Sequence, residues 1–87
     1  MLVDGTHVRN VYDSDFSQGG NGFRYRFISR NEIWIDAEID EVEWPYIVLH
    51  ECYEAEKMKA GMSYDKAHML AKREENRARR RDRPGEP

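Results

Sequence analysis

The sequence predicts an α+β domain in which a small antiparallel β-sheet, built as a hairpin, is followed by an antiparallel two-helix hairpin. Apolar and polar residues alternate over Phe23–Ile28 and again over Glu32–Asp36, as is typical of half-buried strands, and a short turn separates the two runs. Beyond residue 43, apolar and site residues instead recur at helical spacing on both sides of Gly61. A sheet segment that precedes a helical segment indicates the α+β class.

The first 22 residues carry weaker signals. His7–Tyr12 predicts a short strand, and Ser17–Gly22 predicts a glycine-rich turn or loop. This loop lacks the lysine and the following helix that a phosphate-binding loop needs, which argues against nucleotide binding.

Two helices are predicted on either side of a tight turn. The first covers Glu43–Ala60, and Pro45 is tolerated because it falls in the first turn. Gly61 is placed to end that helix as its C′ residue. Ser63 is a candidate N-cap for the second helix, and Asp65 lies in the first turn, where the helix dipole favours a negative charge. Because the turn is short, the two helices are expected to be antiparallel neighbours.

The first helix carries the motif His50-Glu51-x-x-Glu54. Residues four apart lie on one helix face, so His50 and Glu54 can point at the same cation. Zinc hydrolases of the His-Glu-x-x-His type use this spacing for two metal ligands, and their intervening glutamate acts as general base. Here a glutamate replaces the second histidine, and Glu51 is the candidate catalytic base.

A third ligand is predicted on the second helix. If the helical hairpin is symmetric about its turn, Glu54 faces His68 and His50 lies one turn deeper, near Ala71. His50, Glu54 and His68 are therefore the predicted metal ligands. Glu75, on the same face as His68, or its neighbour Glu74 is a candidate further ligand or a partner that orients His68.

Zinc is the predicted cofactor, although iron, manganese and nickel accept the same imidazole and carboxylate ligands. A simpler interpretation stays open beside it. His50 and Glu54 could form an ordinary helical pair to which His68 hydrogen-bonds across the hairpin, and such a structural polar cluster needs no metal.

Length and composition predict one domain over residues 1–78 and a basic, disordered tail over residues 79–87. No apolar run approaches the roughly 18 residues that span a bilayer, and no signal peptide is apparent at the N-terminus. Cys52 is the single cysteine, so it forms no disulfide within the chain, which fits a reducing cytoplasm. We therefore predict a cytoplasmic protein without a membrane partner.

The charge is unevenly distributed between the body and the end of the chain. Residues 1–71 hold seven basic and thirteen acidic residues, whereas residues 72–87 hold seven basic and four acidic residues. A basic tail on an acidic body, without aromatic residues between the arginines, argues against nucleic-acid binding. The expected partners are a peptide or protein substrate and, since small domains often need extra burial, a second copy in a homodimer.

Three segments carry a resemblance to small uncharacterised bacterial and phage proteins, which share a glycine-rich segment, an EIWID strand, an LHExxE helix and a GMxYDxAH second helix. The similarity covers residues 15–76 and implies a minimal zincin-like metal site, without an assigned activity. A weaker resemblance to zincin-type zinc metallopeptidases is confined to the first motif, and the missing second histidine departs from their pattern. The segments are Asn31–Asp36, Leu49–Glu54 and Met58–His68.

The sequence thus leaves three functions in competition. The first is a metal-dependent hydrolase that acts on a peptide or amide bond, with the sheet segment Asn31–Ala37 as a candidate surface for an extended substrate. The second is an interaction module in which a metal ion or a polar network stabilises the fold. The third is a non-enzymatic accessory protein of phage or bacterial origin, in which the same residues form a structural polar cluster.

Overall fold

A computed structural model of the protein describes residues 1–82. Within this range there are three strands and three α-helices, with a single 3₁₀ turn at Glu41–Glu43. In chain order the elements are β1 (Leu2–Val3), α1 (Gly5–Val11), β2 (Gly19–Asn21), β3 (Ile33–Asp36), α2 (Trp44–Lys59) and α3 (Tyr64–Asp82).

The predicted α+β class is confirmed: a small sheet precedes a pair of helices that pack against each other. The strand order is β1-β3-β2, with β3 in the centre. β2 pairs with β3 in antiparallel register through Gly20 and Trp34, and β1 pairs with β3 in parallel through Leu2 and Ile35. Because β3 has a partner on both sides, the segment Asn31–Ala37 cannot accept an extended substrate as an added strand.

The strand predicted over Phe23–Ile28 is wrong, and so is its hairpin with β3. This segment forms consecutive turns, in which the backbone N–H of Tyr25 donates to the carbonyl of Asn21 and the N–H of Ile28 donates to that of Tyr25. Its buried side chains, Tyr25 and Ile28, are three positions apart and not two as in a strand, and they pack in a small core with Val8 and Phe16.

The strand predicted over His7–Tyr12 is also wrong, because these residues belong mainly to α1. The carboxylate of Asp4 accepts hydrogen bonds from the backbone N–H groups of Thr6 and His7, at 3.0 and 3.3 Å, and so caps the helix. An N-cap of this kind stabilises the first helical turn. This cap was not taken into account in the strand prediction.

The glycine-rich segment forms β2 where a turn or loop was predicted. Its glycines permit close packing on both faces. A Cβ at Gly19 would lie 2.9 Å from the Ile47 side chain, and one at Gly20 would lie 2.7 Å from the Tyr25 ring. Glycine within a strand often marks such a close approach.

The sheet therefore lies between two layers. On one face, Trp34 contacts the rings of Tyr12 and Phe27, at centroid distances of 6.4 and 5.6 Å, beside the small core. On the other face, Gly19 and Asn21 approach α2. Residues two apart in a strand share a face, so the side chain of Asn21 is directed into the helical hairpin.

The helical hairpin follows its prediction closely. α2 covers Trp44–Lys59 with Pro45 in its first turn, and Gly61 adopts a φ of 102° at the end of the helix. The N–H of Gly61 donates to the carbonyl of Met58, as expected of a glycine C′ residue. Ser63 caps α3 by accepting a hydrogen bond from the N–H of Lys66 at 3.4 Å.

The disordered tail predicted over residues 79–87 is corrected at its start. α3 continues to Asp82, and Arg79 forms ion pairs with Glu75 and Glu43, which hold this end of α3 to the start of α2. The remaining tail residues, 83–87, lie outside the described residues. Among residues 1–82, no helix is both long and apolar enough to cross a membrane.

Candidate metal centre

Three potential ligand atoms converge between α2 and α3. His50 Nε2 lies 3.1 Å from Glu54 Oε2 and 3.2 Å from His68 Nδ1, and the His68 and Glu54 atoms are 2.9 Å apart. His50 and Glu54 are buried, whereas the His68 side chain is 47% exposed. This group is close enough to hold one metal ion.

Helical geometry and small residues produce this convergence. His50 and Glu54 are one turn apart on α2 and so share a face. On the facing side of α3, Ala67 and Ala71 are completely buried. Because they carry only a methyl group, the helices approach closely enough for His68 to reach across the hairpin.

His50 is held between two carboxylates. Its Nδ1 lies 3.0 Å from Glu75 Oε1, while its Nε2 faces Glu54. Burial lowers the pKa of His50, but the hydrogen bond with Glu54 and the nearby negative charges outweigh burial, so the pKa lies above its usual value. Burial raises the pKa of Glu54, yet hydrogen bonds with both histidines bring it below the usual value.

Glu75 is itself fixed in position. Arg79 Nε donates to Glu75 Oε2 at 2.9 Å, and Lys72 Nζ lies 3.8 Å from the same oxygen. Of the two roles predicted for Glu75, the structure places it as a partner of a histidine, although that histidine is His50 and not His68. A carboxylate on the second ring nitrogen of a metal-binding histidine fixes the orientation of the ring.

Asn21 connects the sheet to the two carboxylates of α2. Its Nδ2 donates to Glu51 Oε1 and to Glu54 Oε1, in both cases at 3.0 Å, and the side chain is only 1% exposed. Its Oδ1 accepts from the backbone N–H of Phe23 and Arg24, which fixes the orientation of the amide. Asn21 thus positions Glu54 and holds Glu51 next to it.

Glu51 has the environment of a proton acceptor. Burial, followed by repulsion from the Glu54 carboxylate, raises its pKa to about 7 despite the hydrogen bond from Asn21. A carboxyl group whose pKa lies near neutrality suits general acid–base chemistry.

A cleft of about 450 Å³ opens onto this group. Its wall includes five residues of α2 and α3, which we call the cluster: His50, Glu51, Glu54, His68 and Glu75. The edge of β2 and two tyrosines complete the wall. The lining residues are Asp15, Ser17, Gln18, Gly19, Arg24, Tyr25, Ile47, His50, Glu51, Glu54, Tyr64, His68, Lys72 and Glu75.

The sequence predicted the three ligand positions but missed Asn21. Asn21 is 30 residues from Glu51 in the chain and lies in a three-residue strand that the sequence did not indicate. One signal could have revealed it: Gly19 and Asn21 share a strand face, and a glycine beside a polar residue is suited to close packing against a helix. Cys52 is exposed and takes no part in the cluster.

No protein-family model matches this chain, and no significant match was found among curated proteins or solved structures. The function must therefore be inferred from the cluster itself. Its geometry supports a coarse conclusion, namely that His50, Glu54 and His68 form a group able to hold a metal ion beside an open cleft.

Proposed function

We propose that this protein is a zinc-dependent hydrolase with a minimal zincin-like site, in which His50, Glu54 and His68 bind one zinc ion and Glu51 is the general base. The observation that supports this most strongly is the mutual approach of three Lewis-basic atoms, one from each ligand side chain, to within 2.9–3.2 Å.

The lone pairs of His50, Glu54 and His68 can all be directed at one cation between α2 and α3. If Nδ1 of a neutral His50 donates to Glu75, its Nε2 carries only a lone pair. That lone pair would face both a carboxylate oxygen of Glu54 and the nearest ring nitrogen of His68. A proton on His50 Nε2 or on Glu54 relieves the contact between these two side chains, whereas one metal ion is a partner for all three atoms at once.

The distances suit zinc in particular. Two ligand atoms that each lie about 2.1 Å from a tetrahedral zinc ion are about 3.4 Å apart, so the three atoms need to separate by only a few tenths of an ångström. Three protein ligands leave a fourth position open, which is the arrangement of catalytic and not of structural zinc sites. His68 is half-exposed and lines the cleft together with His50 and Glu54, so an ion bound by the three side chains would be accessible from the cleft.

When bound, zinc would act as a Lewis acid and make a coordinated water easier to deprotonate. The protein itself would supply the general base and the cleft in which the substrate binds. Glu51 lines the cleft and shares the amide of Asn21 with the proposed ligand Glu54, which supports its role as the base. A peptide or amide is the expected substrate class, since the spacing of His50 and Glu51 is that of zinc peptidases.

Metal analysis tests the binding step. The purified protein, dialysed against zinc, is expected to retain one equivalent, and His50→Ala and His68→Ala are expected to retain none. His7→Ala is the matched control because His7 is the remaining histidine of the chain and is exposed on α1, so it should bind zinc normally. A wild-type protein that retains no zinc, or a His50→Ala variant that retains as much as His7→Ala, would overturn the proposal.

The hydrolytic step is tested with Glu51→Gln on a fluorescence-quenched random peptide library. We expect the rate to fall by a factor of about 10²–10⁴, as is usual on removal of a general base, while zinc content is unchanged. Glu56→Gln is the control because Glu56 is exposed on the same helix. Equal rates in the two variants would exclude Glu51 as the base.

A second candidate is a non-enzymatic interaction protein in which the cluster is structural. It is favoured by one observation: every member of the cluster already has a hydrogen-bond partner within the protein. This alternative predicts that chelator leaves the melting temperature unchanged. The zinc site predicts a rise of about 10 °C or more at a zinc concentration 100 times Kd, since binding then contributes about 2.7 kcal/mol to a domain of this size.

A further inference from the structure

Arg24 lies in the wall of the cleft between two tyrosine rings. The carbon of its guanidinium is 4.4 Å from the centroid of the Tyr64 ring and 4.9 Å from that of Tyr25. Tyr64 in turn packs against the imidazole of His68, with ring centroids 5.4 Å apart. Arg24 is therefore separated from a proposed metal ligand by a single aromatic ring.

This guanidinium lacks an acidic partner. Among residues 1–82, no carboxylate lies within ion-pair distance of Arg24, and Asp13 acts on it only from farther away. Its Nε is buried and has no hydrogen-bond partner. A buried donor without a partner carries a cost in free energy that a bound ligand can remove.

The other cation in the wall is already engaged. Lys72 forms an ion pair with Glu75, which in turn holds His50. The cleft thus offers one guanidinium that stacking on two tyrosine rings and a hydrogen bond with the Tyr64 side chain hold in place, and that has no carboxylate in ion-pair contact among residues 1–82. Arginine is suited to this role because its planar donors match the two oxygens of a carboxylate or phosphate.

We propose that Arg24 is the specificity-determining residue of the cleft and binds an oxyanion, a carboxylate or a phosphate, carried by the substrate. This inference rests on the proposed metal site, since it places the anionic group at Arg24 while the bond to be cleaved lies at the metal. The substrate class is narrowed to short molecules, peptides among them, with an acidic group close to the hydrolysed bond.

A purely structural role for Arg24 makes a different prediction. Stacking between Tyr25 and Tyr64 would join the turns after β2 to the start of α3, and the cation–π contacts alone would explain the position. In that case, substitution lowers stability but does not change which ligands bind.

The two roles are separated with three hydroxamates of equal length that bind zinc at one end and carry a carboxylate, a phosphonate or a neutral carboxamide at the other. The readout is the ratio of affinities within each protein, measured by calorimetry on samples whose zinc content is known. The wild-type protein should prefer one or both anionic probes to the carboxamide by about tenfold or more, as expected for a charge-assisted hydrogen bond. The anion that gives the larger ratio identifies the group.

Arg24→Gln should bring this ratio close to one without reducing zinc content. Arg26→Gln is the matched control, because it removes the same charge from an exposed side chain that does not line the cleft. If Arg24→Gln does not fold, the Nε–Hε resonance of Arg24 in ¹⁵N-labelled wild-type protein decides the question. It should shift with an anionic probe and not with the carboxamide.

Results that overturn the anion site differ from results that overturn the metal site. A wild-type protein that binds zinc but has a ratio near one, or an Arg24→Gln variant that keeps the wild-type ratio, would overturn the anion site and leave the metal site standing. An Arg24 resonance that responds equally to all three probes would overturn it as well. A wild-type protein without zinc would overturn both proposals.

Discussion

Two carboxylates, Asp36 and Glu54, are almost equally buried, at 4% and 2% exposed, but they have very different partners. Asp36, at the end of β3, accepts hydrogen bonds from the backbone N–H of Glu38 and from Arg9. Glu54 is instead surrounded by two imidazoles and an amide.

The surroundings of Asp36 leave no room for a ligand. A Cβ at Gly5 would collide with its carboxylate, so the backbone of α1 closes over the group. Backbone donors cannot move away to admit a cation, whereas the rings around Glu54 are side chains at the edge of a cleft. The comparison shows that burial alone does not identify a carboxylate that could bind a ligand. The groups that surround the carboxylate must be considered as well.

Substitution of each carboxylate by its amide should give the largest contrast. Glu54→Gln is expected to lower zinc affinity by about a hundredfold or more, because losing a direct ligand costs more than the roughly 10–100-fold that follows loss of an outer partner. Asp36→Asn should leave zinc affinity unchanged and lower the free energy of unfolding by about 2 kcal/mol, since it weakens hydrogen bonds to a charged group. Competition with a fluorescent zinc chelator and urea unfolding measure the two quantities. Equal zinc affinities in the two variants would contradict the distinction.

A smaller effect is expected from Glu75, which contacts His50 but no other proposed ligand. Glu75→Gln should reduce zinc affinity by about 10–100-fold, the usual cost of losing the partner of a metal-bound histidine. Among residues 1–82, its neighbour Glu74 forms an ion pair with Arg77 and contacts none of the proposed ligands, so Glu74→Gln is a matched control and should bind zinc normally. If both variants bind zinc as tightly as the wild type, Glu75 does not orient His50.

The smallest expected effect is a change in how the stability of the protein depends on pH when Asp36 is replaced. Burial raises the pKa of Asp36, but hydrogen bonds from the Glu38 N–H and from Arg9 outweigh it and bring the pKa below the usual 3.8. A carboxyl with a depressed pKa in the folded state stabilises the fold fully above about pH 3.8 and loses this contribution as the pH falls through the folded-state value. Stability curves between pH 2 and 6, with zinc absent, should therefore fall less steeply at the acid end for Asp36→Asn than for wild type. Parallel curves would show that Asp36 does not contribute in this way.

The parts of the site that the sequence predicted are those whose residues lie close together along the chain. His50, Glu54 and His68 were predicted because helical spacing and one short turn determine which of their side chains meet. The packing of Asn21 against α2 depends on contacts over 30 residues and on a strand of three residues, for which local patterns give little information.

The errors in the N-terminal half have a related cause. Over Phe23–Ile28, large side chains alternate as in a strand, but the backbone forms turns, and Tyr25 and Ile28 pack in a core with Val8 and Phe16. Alternation reports which side chains are buried and not the hydrogen bonds that the backbone makes. Where tertiary contacts decide the backbone, as in this half, the same pattern is compatible with more than one structure.

The helical hairpin also has a consequence for the order in which the protein assembles. All of its proposed ligands lie within residues 50–68, so bringing them together closes only a short loop, which costs little chain entropy and occurs early in folding. Asn21 instead contacts Glu51 across 30 positions of the chain, from a strand that itself pairs with β3. We therefore expect the ligand group to form before its support from Asn21 is in place, with the N-terminal half completing the site last.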